Sequence, residues 1–258
     1  MEIRILGAHM SEAQGARLTS LLIDESTILD AGGVTASLSL GEQKKIKTVL
    51  LTHQHFDHTR DLVTITANTG FFWQGQLMVR ALAHTLDILT DYLLDGKMYL
   101  NFLEYPSKEN PTLILEPVEP YSSESVDGYS VLPLPVRHSV PAIGYQVSSS
   151  DGKSLFYTGD TTAGLADCWQ HISPQLLITE VAGPNRYEER LRQAGHMCAR
   201  LLKEELVQFR QLKGYLPRVL VIHIGNPFER DIKEEVAQVA RDLDADISLG
   251  YEDMTITL

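Results

Sequence analysis

The sequence predicts an α/β (α+β) fold, a four-layer αβ/βα sandwich in which two mixed β-sheets pack face to face and helices cover their outer surfaces. Three observations favour this class. Short apolar strands crowd the first half, strands and amphipathic helices alternate in the second half, and no low-complexity or linker-like stretch divides the chain. Sheets bury their apolar faces against each other and against helices. We therefore expect one sheet from each half and a single domain over residues 1–258.

The strands of the first half are predicted where aliphatic and β-branched residues cluster between turn-forming residues. These segments are Glu2–Leu6, Leu18–Asp24, Thr27–Asp30, Lys45–Thr52, Leu77–Ala81 and Leu113–Val118. Two helices are expected among them, one starting within Asp61–Asn68 and an amphipathic one over Thr85–Leu94.

The second half continues with strands and longer helices. Two prolines place the strand Ser130–Val136 near a sheet edge. A turn signal at Ser150-Asp151-Gly152 predicts a hairpin. The remaining predicted segments are the hairpin strands Ile143–Ser148 and Ser154–Thr158, the strands Gln175–Glu180 and Arg218–Ile224, the helices His196–Arg210 and Asp231–Leu243, and short C-terminal strands.

Composition narrows the class of partner. The net charge of -12 would repel long anionic polymers, which disfavours nucleic acid. No apolar run approaches the roughly 18–20 residues that span a bilayer, and the N-terminus lacks the layout of a signal peptide. Two cysteines, Cys168 and Cys198, do not suggest a disulfide framework. We expect a cytoplasmic protein with a small substrate and no membrane contact; a homodimer stays open.

The strongest chemical signal is Thr52-His53-Gln54-His55-Phe56-Asp57-His58, which follows an apolar strand. On an extended segment His53 and His55 point the same way, because side chains alternate with period two. If the chain then coils, Asp57 and His58 reach an adjacent position. Imidazole nitrogens and carboxylate oxygens suit zinc, and also manganese or iron. The segment therefore predicts a site for two metal ions.

Three further candidates lie at predicted strand ends: His138, Asp160 and His223. Taken singly, each has an ordinary structural alternative. His138 and His223 could be satisfied core histidines, and Asp160 could be a turn or helix-cap residue after Gly159. Their order and their position at strand ends favour metal ligation instead.

Together these motifs resemble the metallo-β-lactamase superfamily. The HxHxDH pattern carries the resemblance, which continues in the order of that superfamily's motifs through Arg137–Tyr145, Tyr157–Thr161 and Ile222–Ile224. It spans nearly the whole chain and implies the four-layer fold and a dinuclear site. The implied ligands are His53, His55 and His138 for one ion, Asp57, His58 and His223 for the other, and Asp160 bridging both.

The resemblance also bears on the branch of the superfamily. Its β-lactamases often carry Cys where Asp160 stands, whereas a carboxylate is typical of its dinuclear hydrolases. Thr59-Arg60-Asp61 after the motif differs from the small, glycine-rich residues of the glyoxalase-like branch. A water molecule between two divalent ions has a pKa of about 7 and supplies a nucleophile at neutral pH.

Glu180 and His196 favour phosphodiesters as substrates. Gly195-His196-Met197 opens the predicted helix, and in ribonuclease Z and related phosphodiesterases a Gly-His segment and a strand ending in Glu supply the proton for the leaving oxygen. A carboxylate that holds the imidazole in one tautomer suits this role, and a helix N-terminus suits an anion. Surface roles are the alternative for both residues. The candidate catalytic residues are thus Asp57, Glu180 and His196.

The leading hypothesis is a phosphodiesterase that acts on small phosphodiesters, with 3′,5′-cyclic nucleotides as the first candidate. Ribonuclease Z carries a long arm between the positions of Tyr145 and Asp160, where this chain has a short hairpin. The last third also resembles bacterial class II cyclic-nucleotide phosphodiesterases, although these have Leu at the position of Phe56. The alternatives are an arm-less tRNA 3′-processing nuclease, a lactone or thioester hydrolase, and a metal-binding protein without turnover.

Overall fold

The computed structural model describes residues 1–258, which form two seven-stranded β-sheets and a separate two-stranded ribbon. The sixteen strands, β1 to β16 in chain order, are Glu2–Gly7, Ser20–Ile23, Thr27–Leu29, Thr48–Leu50, Leu77–Ala81, Pro106–Ser107, Asn110–Pro111, Leu113–Pro117, Glu124–Val126, Tyr129–Val136, Ala142–Ser148, Ser154–Tyr157, Leu176–Glu180, Arg218–Ile222, Ile247–Leu249 and Thr255–Thr257. The nine α-helices, α1 to α9, are Val34–Ser37, Leu40–Gln43, Phe56–Thr59, Leu62–Trp73, Ala83–Tyr92, Ala166–His171, Glu188–Ala194, Ala199–Lys213 and Glu229–Leu243.

Both sheets are mixed, as predicted. The first has the order β16-β1-β2-β3-β4-β5-β8 and becomes parallel from β3 onward. The second has the order β15-β14-β13-β12-β11-β10-β9 and is parallel from β12 to β15. Each half of the chain supplies one sheet, with one exception. The last strand, β16, crosses back and pairs with β1, so that Ile256 lies opposite Ile3.

Three apolar layers hold the sandwich together and confirm the predicted four-layer class. The middle layer lies between the sheets and includes Leu21 and Leu50 of the first and Ile143 and Ile178 of the second. One outer layer packs α4 and α5 on the first sheet, and the other packs α6, α8 and α9 on the second. Each fully buried Leu, Ile or Phe contributes roughly 1.5–3 kcal/mol.

The edges of the second sheet follow from local sequence. Strand β10, which contains the two prolines, lies one place in from the edge, and only the three-residue β9 flanks it. Strands β11 and β12 are joined by five residues, so the predicted short hairpin is confirmed. None of the helices combines the length and the apolar character that a membrane-spanning segment needs.

One helical prediction needs correction, and one short helix beside it was not predicted. The helix expected from His196 begins only at Ala199, because Cys198 is extended and the Met197 N–H donates to Glu180 on β13. The short helix α7, at 188–194, is not predicted at all. It buries none of its residues and therefore lacks an apolar repeat, and it ends at Gly195 with a φ of 84°.

Candidate metal centre and active site

The histidine-rich segment leaves β4 extended and then coils into α3, as its spacing predicts. The turn is fixed by two backbone bonds: His58 N–H donates to the His55 carbonyl over 3.0 Å, and Ala31 N–H donates to the His58 carbonyl over 2.6 Å. This geometry brings two extended-chain histidines and two helical ligand candidates to the same end of the sandwich.

The first group of candidate ligands joins both sheets. His53, His55, His138 and Asp160 offer atoms that all lie within 4.8 Å of one another. His138 Nε2 lies 3.1 Å from His55 Nδ1, and His53 Nε2 lies 3.9 Å from Asp160 Oδ2. Because β4 leads to the first two and β10 to the third, the group exists only when the two sheets pack together.

The second group contains Asp57, His58, His223 and again Asp160. His58 Nε2 lies 3.2 Å from Asp160 Oδ1, and His223 Nε2 lies 3.3 Å from Asp160 Oδ2. His223 follows β14 with a φ of 55°, a left-handed conformation that is uncommon outside glycine. Asp160 thus belongs to both groups, and all seven predicted ligand positions converge. We call these seven residues the ligand cluster.

Several atoms in the ligand cluster require a partner that the protein does not supply. Nε2 of His53, His58 and His223 and Oδ1 of Asp160 are buried and make no hydrogen bond. Buried polar atoms are normally paired, because each unpaired one costs about 1–3 kcal/mol. Nitrogen and oxygen donors that face one another across a few ångströms fit divalent metal ions. The donor set therefore suits metal binding.

In His53, His138 and His223 the opposite ring nitrogen is held by the protein, which fixes the orientation of the ring. Nδ1 of His53 lies 2.9 Å from Thr52 Oγ1, and Nδ1 of His223 lies 2.9 Å from Thr19 Oγ1. Nδ1 of His138 lies 3.0 Å from the Gly195 carbonyl. Each of these rings consequently presents Nε2 to the centre of the cluster.

Asp30 is a supporting residue that the sequence analysis missed. Its Oδ2 accepts from His58 Nδ1 over 2.7 Å and from Tyr157 Oη over 2.7 Å, and its Oδ1 accepts from Thr52 N–H over 2.8 Å. The Thr52 hydroxyl also contacts this carboxylate, so Asp30 supports His58 directly and His53 through Thr52. The available signal was a polar residue directly after the apolar strand β3.

Glu205 is a second residue that the sequence analysis missed. This buried carboxylate on α8 accepts from Gly164 N–H over 2.6 Å, Leu165 N–H over 3.1 Å and Trp169 Nε1 over 3.0 Å. These bonds anchor the loop that follows Asp160. No local pattern separates Glu205 from the neighbouring acidic residues of the helix.

Two glycines allow close approach at the cluster. A Cβ on Gly159, whose φ is 60°, would lie 2.7 Å from Thr52 Cβ. A Cβ on Gly195 would lie 2.6 Å from Ser139 N, beside His138. A larger residue at Gly159 would push strand ends of the two sheets apart, and a larger residue at Gly195 would displace the backbone that carries His138.

The electrostatics of the cluster favour neutral imidazoles at most positions. Burial lowers the pKa of His53 well below its ordinary value and lowers the pKa of His223 to about 4. Burial opposes protonation of His58 as well, but Asp160 and Asp30 outweigh it and raise its pKa well above the ordinary value. A metal ion at His58 would therefore displace a proton.

Glu180 and His196 lie next to the ligand cluster. His196 Nδ1 lies 2.9 Å from Glu180 Oε1 and 3.9 Å from Asp160 Oδ2. Burial disfavours the charged form of His196, but the Glu180 carboxylate outweighs it and raises the pKa of His196 to about 9. Glu180 is fixed by Thr161 N–H and Met197 N–H as well. His196 thus lies on the connection between α7 and α8 and not, as predicted, at a helix N-terminus.

Arg17, Arg137 and Phe71 each contact other parts of the protein. Arg17 donates to the Leu6 carbonyl and pairs with Asp253, and the Arg137 side chain lies against the backbone of Gly164. In the aromatic run at the end of α4, Phe71 contacts the rings of Tyr99, Phe102 and Tyr105.

Known structures share this arrangement of sheets and helices. Unliganded yeast PDE1 superposes with a TM-score of 0.84 at 17% identity, covering 100% of this chain and 99% of that chain. The metallo-beta-lactamase fold protein YhfI from Bacillus subtilis gives 0.79 at 14% identity, with 99% of both chains covered. Human tRNase Z, short form, gives 0.70 at 14% identity, covering 100% and 99%. At these identities the similarity establishes the fold.

Sequence comparisons assign the family. A curated protein of Porphyromonas gingivalis named octanoyltransferase is 33% identical over 117 residues, 44% of this chain and 21% of that protein. The chain thus spans about a fifth of the length of this curated relative. A family model described as "Beta-lactamase superfamily domain" matches residues 22–224, which include the whole ligand cluster. The chain therefore belongs to the beta-lactamase superfamily and has the metallo-β-lactamase fold.

Proposed function

We propose that this protein is a phosphodiesterase that hydrolyses small phosphodiesters with two zinc ions, and that 3′,5′-cyclic nucleotides are its first candidate substrates. One observation carries the proposal: the buried Glu180–His196 pair lies beside Asp160, the residue shared by both candidate metal groups. Such a pair has a clear purpose only when the leaving group needs a proton.

The leaving group of an alkyl phosphodiester is an alkoxide, which departs much faster if an acid protonates it. His196 has the required properties. Glu180 holds Nδ1, so Nε2 remains to donate, and the raised pKa of about 9 keeps the ring protonated at neutral pH. Its ring also stacks on His223, with centroids 5.5 Å apart, which places it against the cluster. The proton on Nε2 would pass to the departing oxygen.

The ligand cluster would hold the metal ions in two sites. His53, His55 and His138 would serve one site, Asp57, His58 and His223 the other, and Asp160 both. When bound, two divalent ions supply a water molecule of lowered pKa and positive charge for the phosphate oxygens. Zinc suits this mixture of imidazole and carboxylate, and manganese or iron would also fit.

Charge in and around the site favours a small substrate. The carboxylates of Asp57, Asp160 and Glu180 form ion pairs with histidines and with no lysine or arginine. Recognition of the phosphate would rest on the metal ions and His196. A polyanion would meet the net charge of -12 and find no arm, since only five residues join β11 and β12.

The test is a substrate panel with zinc-loaded protein: cyclic AMP, cyclic GMP, bis(p-nitrophenyl) phosphate, a precursor tRNA, a lactone and a thioester. Turnover of the cyclic nucleotides that is lost in His196→Ala and in Asp160→Ala is the expected result. Absence of turnover of every phosphodiester would overturn the proposal. Cleavage of precursor tRNA alone would select a tRNA nuclease. Hydrolysis of the lactone or thioester alone, insensitive to His196→Ala, would select an ester hydrolase.

A further inference from the structure

Phe56 occupies an unusual place on the rim of the ligand cluster. It lies between His55, a member of the first candidate metal group, and Asp57, a member of the second. Phe56 is 65% exposed. Among the exposed large hydrophobic residues, it is the only one that lies within two positions of a ligand-cluster member in the sequence. A single exposed Phe is ordinary on a protein surface. Its position between two members of the ligand cluster is the feature that needs an explanation.

Helix geometry shows which side of the site Phe56 occupies. Consecutive helical side chains are about 100° apart around the axis. Along α3 the exposure falls from Phe56 at 65% through the Asp57 side chain at 28% to His58 at 0%. Asp57 therefore lies between the buried His58 and the exposed Phe56, and both chain neighbours of Phe56, His55 and Asp57, are half-buried members of the ligand cluster.

Nothing in the fold requires this ring. Phe56 belongs to none of the three apolar layers and contacts no other aromatic ring. Its backbone, by contrast, is fixed, because Arg60 N–H donates to its carbonyl over 2.8 Å and the adjacent His55 carbonyl accepts from His58 N–H and Thr59 Oγ1. Phe56 therefore presents an exposed aromatic ring on a hydrogen-bonded backbone, next to two half-buried members of the ligand cluster.

We propose that Phe56 is a specificity-determining residue whose ring packs against an aromatic group of the substrate, so that the preferred phosphodiesters carry a nucleobase or an aryl ester. The inference rests on the proposed function. We expect a substrate whose phosphate reaches both candidate metal groups to extend its substituents past the half-buried side of the cluster at His55 and Asp57, where Phe56 is an exposed apolar side chain. Stacking tolerates any base, because each base has a π-face.

The test compares two ligands that differ only by the base. Calorimetry on zinc-loaded protein would measure the affinities for adenosine 5′-monophosphate and for ribose 5-phosphate, with the zinc content of each variant measured in parallel. We expect wild-type protein to prefer the nucleotide by about 5- to 100-fold, the range of base stacking. Phe56→Ala should bring this ratio close to one, and Phe56→Trp should preserve it. Phe72→Ala is the matched control, because Phe72 is 62% exposed on α4, outside the cluster, and its loss should leave the ratio unchanged.

The outcomes separate this inference from the proposed function. Equal affinities in the wild type, or an unchanged ratio in zinc-replete Phe56→Ala, would overturn the role of Phe56 even if phosphodiesters are hydrolysed. A Phe56-dependent ratio in a protein that hydrolyses no phosphodiester would overturn the proposed function alone. No binding of either ligand would overturn the role of Phe56, whereas the proposed function is decided separately by turnover in the substrate panel.

Discussion

Asp30 and His58 form a fully buried pair in which Asp30 Oδ2 lies 2.7 Å from His58 Nδ1. The pair orients His58 Nε2 toward Asp160, and the same carboxylate supports His53 through Thr52. One side chain outside the ligand cluster thus orients a member of each candidate metal group. This arrangement makes Asp30 a sharp test of whether ring orientation governs metal affinity.

Asp30→Asn should weaken zinc binding by roughly 10–100-fold, because groups that orient metal ligands have effects of this size. Competition with a chromogenic chelator would measure the affinity. Asp24→Asn is the control. Like Asp30, whose φ is 56°, Asp24 has a positive φ, of 48°, but it accepts from Glu2 N–H far from the cluster. Wild-type zinc affinity in Asp30→Asn would contradict the orienting role.

Asp160→Ala should reduce the number of zinc ions per chain and abolish hydrolysis, since Asp160 is common to both groups. Zinc should raise the thermal midpoint of the wild type, because a ligand that binds only the folded state stabilises it, and should raise that of the variant much less. Elemental analysis would measure the zinc content, and thermal scans would measure the midpoints. Asp167→Ala is the control, because Asp167 is exposed. A metal-replete, active Asp160→Ala protein would rule out a shared ligand.

His196→Ala should slow hydrolysis of cyclic nucleotides by about 10²–10⁴-fold, the usual contribution of a general acid. The loss should be much smaller for bis(p-nitrophenyl) phosphate, because p-nitrophenolate departs without protonation. Steady-state kinetics on both substrates would measure the contrast. Equal losses on both would instead indicate a structural role for His196.

Glu180→Gln addresses the same pair by its pH dependence. The Glu180 carboxylate raises the pKa of His196, whereas burial lowers it. Removing the charge leaves burial dominant, so the protonated form of His196 should be lost at lower pH. The alkaline limb of the kcat/KM profile for a cyclic nucleotide should therefore move to lower pH. An unchanged alkaline limb would show that Glu180 does not control the protonation of the general acid His196.

His9 and Glu252 provide a stability prediction at residues that are not members of the ligand cluster. Burial opposes protonation of His9, but Glu252, 2.7 Å away, and Glu229 raise its pKa. Burial acts against ionisation of Glu252, yet bonds from His9 and from Arg17 N–H lower its pKa to about 2. The His9 contribution is complete below the ordinary histidine pKa and is lost as pH rises through the raised value. The Glu252 contribution is complete above the ordinary glutamate pKa and is lost as pH falls through about 2.

Both contributions are therefore complete between about pH 4.3 and 6.5. Glu252→Gln should lower the free energy of unfolding by roughly 1–2 kcal/mol near the middle of that window, and by less at alkaline pH. Urea unfolding at two pH values would measure the difference. Glu25→Gln is the control, since Glu25 forms an exposed ion pair with Lys45 and not with a histidine. A penalty that is independent of pH would contradict the pairing.

Much of the site was predictable because its chemistry is local. His53, His55, Asp57 and His58 fall within six residues after an apolar strand, and the structure coils the segment where the spacing requires it. His138, Asp160 and His223 also stand at strand ends, where the topology brings them together. The first four could be recognised from their own segment, and the other three from their order and their position at strand ends.

The rest depends on contacts between distant segments. Asp30 and Thr19 act through hydrogen bonds to His58 and His223, 28 and 204 positions away, and no local pattern encodes such a partner. The start of α8 was misplaced for the same reason, because Glu180 takes the Met197 N–H that a longer helix would have used. Strand β16 likewise returns to β1 for reasons of packing rather than sequence order.

The division of the ligand cluster between the sheets has a consequence for how the protein matures. His53 to His58 come from one sheet, and His138, Asp160 and His223 from the other. Neither half carries all seven residues, so we expect the complete ligand cluster to form only after the two sheets have packed together. Bound ions would then link the two sheets. A nascent chain that still lacks β14 and the following His223 would not yet have the complete ligand cluster.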